Sequence, residues 1–172
     1  HGIPESMLSS MANYNLQYSE NALKVSCTTQ LLISKGSTLQ KIAFEMQNRG
    51  ILPQSDSLRV LQVLSNRIVK ATDMYEDEVV TNYAVTWRFE IIPIEQRNFD
   101  EKNQLLIAVS KGYIDSFDVA RFVADPFIFL CNNTDTIGSI RNQLLTAASV
   151  PNEELDSTVI MKLDNKNGNN VP

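Results

Sequence analysis

The sequence contains very little histidine and cysteine. Its 172 residues include one histidine, His1, and two cysteines, Cys27 and Cys131. A thiol hydrolase needs a cysteine nucleophile with a histidine base, and a structural zinc site needs four ligands. His1 belongs to a segment, residues 1–6, that looks like a tag remnant ahead of Met7. The inventory therefore argues against a Cys–His catalytic site and a zinc site. We expect two buried free thiols in a reducing compartment, and no cofactor.

A basic surplus and long apolar runs are also missing. Lys and Arg number 15 against 20 Asp and Glu, which gives a formal net charge of -5. Nucleic-acid binding normally requires a basic surface that neutralises phosphates, and anionic membrane surfaces attract basic segments. No apolar run approaches the roughly 20 residues of a transmembrane helix. Partners of these two kinds are therefore not expected, whereas a hydrophobic content of 43% predicts an ordinary packed core.

The first half of the sequence predicts two strands, a helix and further strands. Apolar and polar residues alternate in two segments that predict a hairpin, namely Tyr14, Leu16 and Tyr18, then Leu23, Val25 and Cys27. The helix is expected to begin after Ser37, whose spacing to Gln40 fits a capping box, and to end at Gly50. Its apolar stripe comprises Leu39, Ile42, Ala43 and Met46. The later strands are expected at Leu58–Leu64, Ile68–Val69 and Trp87–Ile91, with a loop at Tyr75–Glu78 and a stop at Pro93.

The second half repeats this order. Alternating apolar residues predict strands at Leu105–Val109 and Phe127–Cys131, and a further strand is expected at Thr158–Leu163. Asp135 or Thr136 is expected to cap a helix that ends before Pro151. The stripe of this helix comprises Ile137, Ile140, Leu144 and Ala147. Residues after Leu163 have the composition of a turn or tail.

A hairpin, a crossing helix and further strands give a β-grasp, in which a mixed sheet and one amphipathic helix bury each other. We therefore predict an α+β fold with two tandem ubiquitin-like β-grasp modules, the second of them incomplete. The expected divisions are a tag remnant (1–6), a first module (7–93), a connector (94–103), a second module (104–163) and a tail (164–172). Either the last strands are missing, or a strand comes from a neighbouring chain or from a segment such as Ser116–Val123.

The stretch between the two modules carries a specific resemblance. Residues Trp87–Pro93 follow the pattern aromatic-Arg-x-Glu-x-Ile-Pro, and an acidic connector and the apolar strand Leu105–Val109 come next. Asp125–Leu130 continues with a Pro-Phe-aliphatic strand. This arrangement resembles the join between the fourth and fifth ubiquitin-like domains of the herpesvirus-associated ubiquitin-specific protease family. The similarity covers Leu58 to Leu163, departs at Asp115–Val123, and lacks that family's terminal peptide.

The resemblance implies a regulatory role. The family consists of ubiquitin carboxyl-terminal hydrolases of the thiol-protease type, whose last two ubiquitin-like domains fold back on the catalytic domain and favour its active state. In physical terms this is a population shift, because the pair must bind the competent state better than the idle one. The implied partners are the parent's own catalytic domain and, further, substrate or regulatory proteins. The implied location is the nucleus and cytoplasm.

The candidate contact residues fall into two groups. The candidate inter-module joint comprises Trp87, Pro93 and Ile94, although a position in the sheet core is the simpler interpretation of Trp87. The candidate protein-contact residues are Arg88, Glu90, Glu76, Asp77 and Glu78. We expect Arg88 and Glu90 to lie in solvent on the face opposite Trp87, with cross-strand pairing or contact with the catalytic domain as alternatives. For Glu76, Asp77 and Glu78, a solvated loop is the simpler interpretation.

Three functions compete at this stage. The first is a non-catalytic regulatory and docking module of a deubiquitinase. The second is an adaptor that recruits an external protein through a sheet face or an open sheet edge, without an effect on catalysis. The third, a hydrolase within this chain, is disfavoured because the only histidine is His1, and hydrolysis by the chain that survives mutation of both cysteines would favour it.

Overall fold

The computed structural model describes residues 9–55, 57–73, 78–160, 164–166 and 169–171, with the backbone alone at residue 73 and beyond residue 160. The predicted tag remnant, the acidic residues Glu76 and Asp77, and Leu163 lie outside this description. Among the described residues, no helix is both long and apolar enough to span a bilayer.

Five strands of the first module form one mixed sheet. They are β1 (Met11–Ser19), β2 (Cys27–Ser34), β3 (Leu58–Leu64), β4 (Arg67–Asp73) and β5 (Thr86–Ile91). Their order in the sheet is β2-β1-β5-β3-β4. The central strands β1 and β5 are parallel, and the other neighbouring pairs are antiparallel. With the helix described next, this is a β-grasp arrangement, and it confirms the predicted α+β fold class.

Helix α1 (Leu39–Asn48) packs against one face of this sheet, here called the inner face. All four residues of the predicted stripe are buried. They share a core with inner-face residues that include Tyr14, Leu16, Val60, Trp87 and Phe89. Gly50 follows the helix with a φ of 71°, the left-handed conformation predicted for its C-terminal end.

The start of α1 corrects one prediction. Thr38, not Ser37, caps the helix, because the Thr38 hydroxyl accepts a hydrogen bond from the Lys41 N–H at 3.2 Å. The Ser37 hydroxyl instead donates to the Ser34 carbonyl at 2.6 Å. The sequence contains two adjacent hydroxyl residues, and only the path of the backbone after β2 decides which of them faces the first turn.

The predicted second strand at residues 23–27 is also wrong. Strand β2 begins at Cys27 and pairs with β1, whereas residues 20–26 form the connection between them. The Asn21 side chain accepts a hydrogen bond from the Leu23 N–H at 2.9 Å, and Leu23 is exposed. This local turn competes with strand pairing, since an Asn side chain offers the backbone another acceptor.

Helix α2 (Ile94–Arg97), a single turn, lies within the segment expected as connector and begins directly after Pro93. The second module follows with the antiparallel strands β6 (Gln104–Val109) and β9 (Phe127–Asn132), both as predicted. Between them β7 (Gly112–Ile114) and β8 (Ala120–Phe122) form a separate two-stranded sheet. The segment Ser116–Val123 therefore does not complete the β6–β9 sheet.

Helix α3 (Ile137–Ala147) is capped by Thr136, one of the two predicted residues, and buries Leu144 and Leu145. Its predicted stripe is wrong at Ile137, which is 88% exposed, because the first turn of the helix borders an open groove with Val159 and Ile160. Residues 158–160 are not in a strand, and a 3-10 helix (Asn152–Ser157) precedes them. The expected tail instead contains a short hairpin of β10 (Asp164–Lys166) and β11 (Asn169–Val171).

Candidate functional site: the inter-module joint and the apolar hairpin

The outer face of the first sheet, opposite α1, is covered by the second module. Successive residues of strand β3 point to opposite faces of the sheet, so Val60 lies on the inner face while Leu61 and Val63 lie on the outer face. Both are buried, and they form a cluster with Ile128 of β9. Ile68 and Leu106 pack against the same cluster. The two modules therefore share an apolar contact that is distinct from the core of the first module.

Arg88 makes the central polar contact of this joint. It belongs to β5 and is only 1% exposed. Its Nη1 donates a hydrogen bond to the Pro126 carbonyl at 2.5 Å, and its Nε lies 3.3 Å from Oε1 of Gln17. Burial lowers the pKa of the Arg88 guanidinium, while the nearby carboxylates of Glu90 and Asp125 oppose that change. A buried cation thus joins the first sheet to the residue that precedes β9.

Glu90 and Arg59 form a buried ion pair beside Arg88. They lie opposite each other on β5 and β3, and both Nε and Nη2 of Arg59 donate to Oε2 of Glu90, at 2.9 and 2.6 Å. Glu90 is fully buried. Burial raises the pKa of the Glu90 carboxyl, and the charges of Arg59 and Arg88 counteract this rise. The joint therefore contains two cations around one carboxyl group.

Three further contacts support the joint at other points. Gln96 of α2 is buried, and its Nε2 donates to the Ile128 carbonyl at 3.3 Å. On the other side, Nδ2 of Asn66 donates to the Phe122 carbonyl at 2.9 Å, and the Arg67 guanidinium lies 5.0 Å from the centroid of the Phe122 ring. A cation over an aromatic face is attractive. These contacts involve the connector, β9 and the β7–β8 hairpin. Because they lie at separate points, they fix the relative orientation of the two modules as well as the distance between them.

The predicted joint residues do not meet at this joint. Trp87 is buried on the inner face, as its core interpretation predicted. Pro93 precedes the first turn of α2, and Ile94 is 79% exposed. The expectation that solvent covers Arg88 and Glu90 is wrong, because both are buried. Arg88 donates to Pro126 of the second module, and Glu90 pairs with Arg59. The cross-strand pairing considered for Glu90 is present, with Arg59 as its partner.

The acidic loop is described only at its end. Glu78 accepts a hydrogen bond from Nζ of Lys70 at 2.9 Å in a partly exposed ion pair. A pair of this kind contributes little to stability, because solvent screens it.

Sequence reasoning missed Arg59, Asn66, Gln96, Phe122 and Pro126 as joint residues. One signal was present. Strand β3 reads Leu-Arg-Val-Leu-Gln-Val-Leu, which is apolar on both faces, and a strand of this kind is normally covered on both sides. No comparable signal marks Gln96 or Asn66, because polar residues near turns are common on exposed surfaces.

The β7–β8 hairpin exposes a set of large apolar side chains. We call residues 111–123 the apolar hairpin. Its exposed apolar residues are Tyr113, Ile114, Phe117, Val119 and Val123. None of them belongs to either of the two apolar clusters of the described residues. An exposed apolar group of this size commonly marks a protein-binding site.

The two cysteines have no catalytic surroundings among the described residues. Both are free thiols, and burial raises the pKa of the Cys131 thiol, which disfavours the nucleophilic thiolate. The same residues contain no group of three or more His, Cys, Asp or Glu side chains placed to hold a metal ion.

A β-grasp sheet with a second helix-and-strand unit packed on its outer face defines a tandem ubiquitin-like module. The chain matches the family described as "Ubiquitin-specific protease C-terminal" over residues 4–171, and it belongs to that family. A comparison with curated proteins found no match. The chain is thus a C-terminal ubiquitin-like region of the ubiquitin-specific protease type.

Proposed function

We propose that this chain is a non-catalytic regulatory and docking module that acts on the catalytic domain of a cysteine-type deubiquitinase and raises its turnover. We further propose that it corresponds to the fourth and fifth ubiquitin-like domains of the herpesvirus-associated type. Family membership supports the proposal at the level of the protease class. The finer role rests on the joint.

The observation that carries the proposal is the buried joint centred on Arg88. A regulator shifts an equilibrium only by its differential affinity for the two states of its target. Two modules held in a fixed relative orientation present a single defined binding surface. The pair therefore loses little orientational entropy between its modules when it binds the target. The contacts of Arg88, Gln96 and Asn66 fix that orientation from three directions.

The test is deletion of this region from the full-length enzyme. We expect turnover on a fluorogenic ubiquitin substrate to fall, and we expect added chain to restore part of it. The isolated chain should show no hydrolysis. Unchanged turnover after deletion would show that the activating role is wrong.

One observation favours the alternative of an adaptor. Within the described residues, β6 pairs only with β9, so this two-stranded sheet offers edges for strand addition. Capture of an external protein by the chain, together with a deletion that leaves turnover unchanged, would favour the adaptor. Loss of turnover on deletion favours regulation.

A further inference from the structure

The apolar hairpin presents Phe117 at its tip with 83% of the residue exposed. Tyr113 and Val119 on the flanking strands are exposed as well. Since β7 and β8 pair only with each other among the described residues, these side chains do not support the β6–β9 sheet. Exposure of this much apolar surface is unfavourable in water. These side chains belong to neither apolar cluster of the described residues, so the packing of the chain does not account for them.

The tip is nevertheless held in one conformation. Oδ1 of Asp115 accepts hydrogen bonds from the Phe117 and Val119 N–H groups at 2.8 and 2.9 Å. Oδ2 of the same carboxylate accepts from Nε of Arg121 at 2.9 Å. These hydrogen bonds lower the pKa of Asp115, so the carboxylate stays charged near neutral pH. A tip ordered in advance loses less conformational entropy on binding.

The base of the hairpin is held just as closely. Gly112 lies so near the Arg121 carbonyl that a Cβ there would collide with it, so the two strands can pair only with glycine at this position. Phe122 contacts Asn66 and Arg67 of the first module. The hairpin is therefore a continuation of the inter-module joint, and Phe117 has a fixed position relative to both modules.

The charge at the tip indicates what kind of surface receives it. Asp118 follows Phe117 in a left-handed conformation, with a φ of 60°. Its carboxylate has no hydrogen-bond or ion-pair partner in the described part of the chain, whereas Asp115 is paired with Arg121. An apolar ring beside an unpaired carboxylate is complementary to an apolar pocket with a Lys or Arg at its rim.

We propose that the apolar hairpin inserts Phe117 into an apolar pocket with a cationic rim on the catalytic domain, and that Asp118 pairs with the rim. This inference rests on the proposed function and names the contact through which it operates. Such a site matches the composition of binding hot spots, in which a few desolvated anchors carry most of the affinity.

A second copy of this chain is a less suitable partner. The site on a second copy that could receive Phe117 is an apolar groove beside Arg141, formed by Ile137, Ile140, Val159 and Ile160. However, Nη2 of Arg141 already donates to the carbonyls of Leu155 and Thr158, at 3.0 and 3.1 Å. The guanidinium there is engaged within its own chain, so it is a poor rim for the Asp118 carboxylate.

The test compares full-length enzyme variants in turnover. Phe117→Ser is expected to reduce the stimulation that depends on this region to that of the deletion, with a roughly ten-fold or greater loss of affinity for the catalytic domain. Asp118→Asn keeps the left-handed preference and removes the charge, and it should cause a smaller loss that disappears at high salt. The matched control is Ile137→Ser, since Ile137 is equally exposed but lies on α3.

A photo-crosslinking residue at position 117 or 137 gives a second readout. Crosslinks from 117 to the catalytic domain, without crosslinks from 137, are expected. If deletion of the region lowers turnover but Phe117→Ser behaves like Ile137→Ser, the hairpin contact is wrong and the proposed function stands. If deletion has no effect, the proposed function itself fails. Crosslinks from 117 only to a second copy or to an external protein would overturn the choice of partner.

Discussion

Nη1 of Arg88 lies 2.5 Å from the carbonyl oxygen of Pro126, a residue 38 positions later in the sequence. This hydrogen bond joins the two modules. Arg88 is on the outer face of the first sheet, which would be exposed to solvent if the first module stood alone. Because the second module covers this face, the hydrogen bond is formed away from solvent, where an unpaired partner is costly.

Arg88→Ala is expected to destabilise the chain by about 2–4 kcal/mol, because it leaves the Pro126 carbonyl without its donor and creates a cavity. Urea unfolding followed by fluorescence of Trp87 measures this effect. Arg49→Ala, which removes an exposed arginine at the end of α1, should change the free energy of unfolding by less than about 0.5 kcal/mol. Equal effects of the two substitutions would contradict a buried joint.

Glu90→Gln is expected to change the pH dependence of stability. The folded state raises the pKa of Glu90 above its ordinary value of 4.5, so the folded chain binds a proton more tightly than the unfolded chain. This contribution is complete below pH 4.5 and is lost as pH rises through the folded-state pKa. The stability of wild type relative to Glu90→Gln should therefore fall as pH rises above about 4.5. Parallel unfolding curves over this range would contradict the raised pKa.

Ile128→Ala is expected to cost about 2–4 kcal/mol, because Ile128 fills the apolar contact with Leu61 and Val63. Calorimetry should also show a less cooperative transition, since this residue connects the two modules. Leu105→Ala on the neighbouring strand removes a side chain that is 54% exposed, and it should cost less than about 1 kcal/mol. A larger loss for Leu105 than for Ile128 would argue against the shared cluster.

Two glycine substitutions should have opposite signs. Gly50→Ala forces a side chain into a φ of 71° and should destabilise the chain by about 1 kcal/mol. Gly138→Ala lies within α3 with open space around it, and it should stabilise by about 0.5–1 kcal/mol. Thermal unfolding of the two variants checks both signs. Destabilisation by Gly138→Ala would mean that α3 is not helical at that position.

The elements with strong local patterns were predictable. Strand β3 and the stripe of α1 agree with the sequence, because alternation and the helical period report directly which side chains face a core. The strand expected at residues 23–27 failed because the hydrogen bond from Leu23 to Asn21 favours a turn, and local propensity does not rank these two outcomes. The division of the chain at residues 93 and 103 stays a prediction, as do the contact roles of Glu76 and Asp77.

The candidate site was much less predictable. Arg88 and Glu90 were selected from the sequence, but with solvent around them, since charged residues on one face of a strand are normally exposed. The second-module contact of Arg88 is made by Pro126, which lies 38 residues further along the chain. The apolar hairpin had only one sequence signal, an insertion at Asp115–Val123 relative to the similar family.

The sequence by itself determined the β-grasp of the first module, the strand-strand-helix order of β6, β9 and α3, and the presence of a single histidine. Each of these depends on residue types or on spacing within a short segment, and both can be read directly from the sequence. Only the tertiary structure decided that the second module covers the outer sheet face, and that Arg88 lies between the modules while Phe117 remains in solvent. Such burial results from contacts between distant segments, and local periodicity does not encode which side chain another segment will cover.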